Sequence, residues 1–193
     1  MSAPRWVWAG IACVVLSWVA LVAAGCAALP CCRLPLLGGE PAREWAGEIK
    51  GPARAIDGDT LEVAGQRVRL WGIDAPEIRQ QCTSPEGPVP CGAVSLDRLA
   101  SLVEGVEVEC SVRDRDRWGR FVAVCTVPPV APQFFGLIPD IDLSAAMVSA
   151  GQALAYRKYS RDYEREEDSA RMDRRGMWAY EFVTPEDYRR GVR

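Results

Sequence analysis

The chain contains no histidine. That absence removes His-based general acid–base catalysis, imidazole metal ligands and any Ser-His-Asp triad. Lysine is nearly missing too. Lys50 and Lys158 are the only lysines among 23 basic residues, and the rest are arginine. Arginine offers a rigid two-pronged donor that suits phosphates, although a GC-rich genome produces the same bias. There is no large excess of either charge. A net charge of −3 and a pI near 5.2 exclude a basic coat for nucleic acid but leave room for a local basic groove. Tight C-x2-C pairs are absent, and with no histidine this excludes a zinc site. No internal repeat or low-complexity tract occurs. With 49% hydrophobic and 25% charged residues in 193, the composition fits one globular domain plus an appendage.

The appendage is amino-terminal. Trp6 to Leu29 is an unbroken run of apolar or small residues in which Ser17 is the only hydroxyl. As a helix it would cross a hydrocarbon core of about 30 Å. A buried core helix is disfavoured because the run is apolar on all sides. Three export readings stay open. The run is an uncleaved signal anchor, a signal peptide cleaved near Val22-Ala23-Ala24, or a lipoprotein signal. For the last, Ala23-Ala24-Gly25-Cys26 resembles a lipobox with Ala23 where leucine is usual. All three place the remainder outside a membrane, and a membrane tether is the expectation. Residues 30–46, with Pro30, Pro35, Gly38, Gly39 and Pro41, read as a linker. The domain is expected over 47–180, with 181–193 as a carboxyl-terminal tail.

Four of the eight cysteines (Cys13, Cys26, Cys31, Cys32) lie in or beside the apolar run. Cys82 and Cys91 bracket a Pro/Gly-rich loop, Thr83 to Pro90. Cys110 and Cys125 each close a strand pattern. Disulfides Cys82–Cys91 and Cys110–Cys125 are therefore expected, each worth about 2–3 kcal/mol in the loop-entropy account. They imply an oxidising compartment, which agrees with export.

Glu48 to Ile56 reads as a strand broken at Gly51-Pro52. Thr60 to Val63 and Arg67 to Trp71 alternate in and out around an Ala64-Gly65-Gln66 turn. Leu96, Leu99 and Val103 then share a helical face that ends at Gly105. Val106 to Cys110 and Arg120 to Cys125 alternate again around a Trp118-Gly119 turn. Val127 to Asp140 is a Pro-rich loop. Leu143, Ala146, Met147 and Ala150 mark a second helix, with Asp142 as its cap and Gly151 at its end. A charged third helix is expected from about Arg161 to Arg175, stopping at Gly176. Five short strands with a helix after the third and two more at the end form an α+β pattern. A five-stranded OB-type β-barrel with three helices fits that order.

Three stretches carry a chemical inventory. Asp57-Gly58-Asp59-Thr60 alone could be an ordinary Asp-Gly hairpin turn. Arg69-Leu70-Trp71-Gly72-Ile73-Asp74-Ala75-Pro76-Glu77 alone could be a solvated strand end. In it, Pro76 holds Ala75 extended and so aims its carbonyl. Asp116-Arg117-Trp118-Gly119-Arg120 alone could be a charged hairpin. Together they supply carboxylates, a carbonyl and arginines. All-oxygen ligands suit a hard cation such as Ca²⁺, and arginine forks suit phosphate oxygens. That combination is a recipe for phosphoryl transfer to water.

With all three motifs in order, the chain resembles the staphylococcal nuclease-like (thermonuclease) family over roughly Gly47 to Trp178. The resemblance implies that Asp59, Asp74 and the Ala75 carbonyl bind Ca²⁺, and that Asp57 lies just behind them. It implies that Glu77 positions or deprotonates the attacking water. Arg69 and Arg120 would bind the scissile phosphate and stabilise its pentacoordinate state. Arg117 falls where the family often has a basic residue near substrate. Tyr156 and Tyr159 resemble a pair that flanks the nucleotide, though spaced by three rather than two. The implied reaction is Ca²⁺-dependent hydrolysis of DNA and RNA with low sequence specificity, leaving 3′-phosphate ends. A monomer with no protein partner is expected. The competing readings are a catalytically silent OB module that binds nucleic acid or protein, and an envelope structural protein. A silent module has no need of Asp59, Asp74, Glu77, Arg69 and Arg120 together.

Overall fold

Strand β1 (Glu48–Ala55) serves two partners in turn. Its first half, Glu48 to Pro52, pairs antiparallel with β7 (Glu107–Arg115), and Ala53 to Ala55 pair with β2 (Thr60–Val63). In this computed structural model, which describes residues 47–129 and 139–192, Gly51-Pro52 marks that handover and does not break the strand. The Pro52 carbonyl accepts the Ala64 N–H at 3.0 Å, so the strand continues through a residue that has no N–H to give.

β2 pairs antiparallel with β3 (Gln66–Leu70), and β7 with β8 (Phe121–Val127). β3 and β8 then pair in parallel, Val68 opposite Phe121 and Leu70 opposite Ala123, which closes a five-stranded barrel. Its interior is apolar: Leu61, Val63, Val68, Leu70, Val108 and Ala123 are fully or almost fully buried. Closure leaves these strands without a free edge inside the barrel. This is the expected α+β, OB-type architecture.

The remaining elements cover the barrel. Chain order adds β4 (Ile73–Asp74), the hairpin β5 (Cys82–Ser84) and β6 (Gly87–Val89), and helix α1 (Cys91–Val103). After β8 come β9 (Ile141–Asp142), α2 (Leu143–Ser149), β10 (Leu154–Ala155) and α3 (Glu164–Met172). A 3₁₀ turn (Gly176–Ala179) and a short helix α4 (Pro185–Arg189) end the chain. Helix α1 begins five residues before Leu96, because Cys91, Ser95, Leu99 and Val103 form its buried stripe. Asp142 caps α2 as expected, accepting the Ala145 N–H at 3.1 Å. α3 is shorter than its charge pattern, and Gly176 opens the 3₁₀ turn. The loop between Cys82 and Cys91 is a hairpin, and residues after 180 include α4.

Both expected disulfides are present. Cys110–Cys125 joins directly opposed residues of β7 and β8, and Cys82–Cys91 ties β5 to the start of α1. Cys82 and Cys91 bury against Met177, with Val89, Leu154 and Phe182 around them. The apolar run 6–29, the linker 30–46, Cys26 and most of the 127–140 loop lie outside the described residues. Among the described residues no helix is long and apolar enough to cross a membrane.

Candidate active site

Each of the three motifs sits where the barrel can aim it. Asp57-Gly58-Asp59 is the turn from β1 into β2. The Asp57 carboxylate accepts the Asp59 N–H at 3.0 Å, and the Asp59 carbonyl accepts the Leu70 N–H at 2.8 Å. Gly58 lies against α1 and the Ala75 loop. A Cβ there would fall 2.0 Å from Ser95 Oγ and 2.7 Å from Ala75 Cβ, so only glycine lets the two acidic loops approach. Arg69 lies opposite Thr60 in the β2–β3 ladder. Asp74 ends β4, held opposite Leu154 of β10. Arg120 follows the Asp116–Arg120 turn into β8.

These side chains form one hydrogen-bonded network. Arg69 donates to Asp59 Oδ1 at 2.7 Å, and to Asp74 Oδ1 and the Ile73 carbonyl at 3.1 Å each. Thr60 Oγ1 donates to Asp59 Oδ1 at 3.0 Å and accepts from Arg120 Nη1 at 3.2 Å. Asp59 Oδ2 accepts the Ala75 N–H at 3.2 Å. Arg120 is also held by Asp116, at 2.7 Å. The structure therefore brings Asp57, Asp59, Arg69, Asp74, Ala75, Glu77 and Arg120 to one place.

Burial governs the electrostatics. Burial, and then the neighbouring Asp59 charge, push the Asp57 carboxyl up to about 6. Burial also raises the Asp74 carboxyl, against the pull of Arg189. For Arg69 burial works against the charge, but Asp59 and Asp74 outweigh it and hold the guanidinium above its usual range. Bonds from Arg120 outweigh burial at Asp116 and lower its carboxyl.

The remaining expected residues line the surroundings. Tyr156 follows β10 and donates its N–H to the Gly72 carbonyl at 2.8 Å. Burial, then the Glu186 and Asp74 charges, raise its hydroxyl above the ordinary value. Its ring stands 5.0 Å from that of Tyr159, which is exposed. Arg117 lies over the exposed Trp118 ring at 4.1 Å, and Arg120 over the same ring at 5.4 Å.

Three contributors escaped the sequence reading. Trp118 was legible only as a turn residue, yet its exposed ring carries the guanidinium groups of both Arg117 and Arg120. Gln80 is buried, accepts the Glu77 N–H at 3.2 Å and donates to the Val183 carbonyl at 2.7 Å. Arg189 of α4 reaches back 115 residues to both oxygens of Asp74, at 2.9 and 2.8 Å, and 112 residues to Glu77 Oε1, at 3.0 Å. No local pattern marks either long-range partner.

The donors suit a hard divalent cation. Asp59 and Asp74 are buried and share the Arg69 guanidinium, Asp57 lies beside Asp59, and these groups offer oxygen ligands. Among the described residues no group of three or more His, Cys, Asp or Glu side chains is placed to hold a metal ion. Arg69 and Arg189 lie between the carboxylates.

The fold and the site together define an OB-type barrel whose carboxylates and guanidinium groups form one network. Residues 67–180 match the family described as Staphylococcal nuclease homologue, and the chain belongs to that family. Over 147 residues it is 34% identical to a micrococcal nuclease of Shigella flexneri, covering 70% of this chain and 75% of that protein. An uncharacterized endonuclease of Escherichia coli O157:H7 is 33% identical over 132 residues, or 65% of this chain and 74% of its own. A succinoglycan biosynthesis protein, ExoI, of Rhizobium meliloti (strain 1021) is 46% identical over 79 residues. That match covers 40% of this chain and only 41% of the Rhizobium protein. The family and its nuclease members support a nuclease function, a hydrolase acting on nucleic acids.

Proposed function

We propose that this protein is a Ca²⁺-dependent nuclease that hydrolyses DNA and RNA with little regard for sequence. The observation that carries the reading is the convergence of three distant motifs on one network of Asp59, Asp74, Arg69, Thr60 and Arg120. Asp59, Asp74 and the Ala75 carbonyl would hold the cation, and Asp57 keeps the Asp59 backbone in place. A divalent cation held there would supply charge neutralisation and Lewis acidity. Glu77, half-exposed, would orient the attacking water and accept its proton. Arg69 and Arg120 hold phosphate oxygens as charge builds on them. Trp118, flanked by Arg117, offers a face for an unpaired base, with Tyr156 and Tyr159 on another edge. Such contacts read phosphate and ring faces rather than base edges, so selectivity is low and single strands are preferred.

The two disulfides fit an exported domain. On this reading the 6–29 run carries it across a membrane and tethers it there, and the domain acts as a monomer. The test is hydrolysis of denatured DNA by the purified protein. Activity is expected with CaCl₂, to vanish in EGTA, and to leave 3′-phosphate ends. Wild-type rates in EGTA, or in Glu77→Gln with calcium, would refute the assignment.

A further inference from the structure

The carboxyl-terminal segment runs back across the acidic loop as a strap. Glu181 exchanges backbone hydrogen bonds with Thr83, at 2.8 and 3.1 Å. Val183 receives the buried Gln80 amide, and Thr184 caps α4 by accepting the Asp187 N–H at 3.2 Å. Phe182 packs beside the Cys82–Cys91 disulfide. This strap delivers Arg189 to the acidic centre. Its guanidinium bonds both Asp74 oxygens and Glu77 Oε1, so it occupies both the lone pairs of a proposed metal ligand and the proposed base.

We propose that α4 is a latch. In metal-free protein Arg189 stands in for the divalent cation between Asp74 and Glu77, and the cation binds by displacing it. The inference rests on the reading of Asp59 and Asp74 as metal ligands. Its physical basis is that Arg189 alone holds Asp74 Oδ2, the oxygen that Arg69 leaves free, together with Glu77 Oε1, and its charge repels a divalent cation approaching those oxygens. The geometry also lets the latch open. The Asp74 side chain is 4% exposed and fixed in the sheet, whereas that of Arg189 is 37% exposed at the last residue of a five-residue helix. Removing Arg189 would leave the buried Asp74 with Arg69 as its one remaining counter-charge, which is costly, so the latch stabilises the protein without metal and opens when the metal takes over that role. Glu77 is freed in the same movement, which couples metal arrival to release of the base.

The test is calcium binding by titration calorimetry together with thermal unfolding, on the whole chain. Arg189→Gln is compared with wild type and with Arg190→Gln, whose residue pairs with Glu186 and Asp187 instead. If the latch is closed in about nine molecules of ten, Arg189→Gln should bind calcium about tenfold more tightly. Its unfolding temperature should drop in EGTA and return to the wild-type value in saturating calcium. Arg190→Gln should match wild type in both. Should Arg189→Gln fail to fold in EGTA, Arg189→Lys keeps the charge without the fork and should still bind calcium more tightly than wild type. Unchanged calcium affinity in the Arg189 variants overturns the latch while leaving the metal site standing. If wild type, Arg189→Gln and Asp59→Asn all take up no calcium, the metal reading fails and the latch falls with it.

Discussion

Arg69 reaches three acceptors, one on the β1–β2 turn and two on β4, which only a planar fork can do. Lysine there would keep the charge and lose the simultaneous bonds. Arg69→Lys is expected to lower kcat by at least about 10²-fold, as loss of one preorganised donor does. Steady-state kinetics on denatured DNA, with circular dichroism as the folding control, would check it. Asp57 gives a prediction about stability. Its carboxyl titrates near 6 in the fold against an ordinary value of 3.8, because burial and Asp59 disfavour its charge. Between those values the folded chain binds the proton more tightly than the unfolded chain. The stabilising contribution is complete below the ordinary value and is lost as pH rises through 6. Asp57→Asn retains an oxygen for the Asp59 N–H. In EGTA it should melt higher than wild type at neutral pH, with the gap closing toward pH 4, a range that thermal unfolding can cover. The residues of this network that the sequence disclosed share a property: each lies in a short motif whose composition is itself chemical. Arg189 and Gln80 do not, because their roles arise from contacts across more than a hundred residues.

Elements decide how closely those motifs can meet. The barrel strands were legible because Thr60 to Val63 and Arg67 to Leu70 alternate cleanly around a Gly turn. Gly51-Pro52 misled for a physical reason. Turn-forming residues also mark a corner where a strand changes partners, and only the register tells the two apart. The carboxyl-terminal strap was invisible because its five-residue helix has too few turns to show a periodicity. The Asp-Gly-Asp turn was legible as a motif, but the reason for its glycine was not. That reason is α1, whose Ser95 Oγ is already committed to the Gln152 carbonyl at 2.7 Å and cannot move aside freely. Gly58→Ala should therefore destabilise the fold by about 1–3 kcal/mol, the usual cost of overpacking. Urea unfolding would measure it. Calcium titration of the same variant should show weaker binding, since the added methyl pushes the turn bearing Asp59 away from Ala75.

At the scale of the molecule, a chain of net charge −3 must attract a polyanion. On the proposed reading, a cation offsets the carboxylates Asp59, Asp74 and Glu77 and lets a phosphate approach. Arg113, Arg115 and Arg117 line the β7–β8 hairpin, interleaved with Asp114 and Asp116. Arg115 lies 5.0 Å over the Phe121 ring and Arg117 over Trp118, so these arginines are shelved on aromatic faces close to Arg120. Binding should then depend on the metal and only weakly on salt. A groove that neutralises about three phosphates of a single strand gives a slope of log K against log salt near −2, because so few counterions are released. Fluorescence anisotropy with a labelled oligodeoxynucleotide and the Glu77→Gln variant would measure this without cleavage. The expectation is weak or no binding in EGTA, and in calcium a shallow slope of that size. A slope steeper than about −5 would require more than twice as many phosphate contacts, a basic surface that the hairpin's alternating aspartates do not provide.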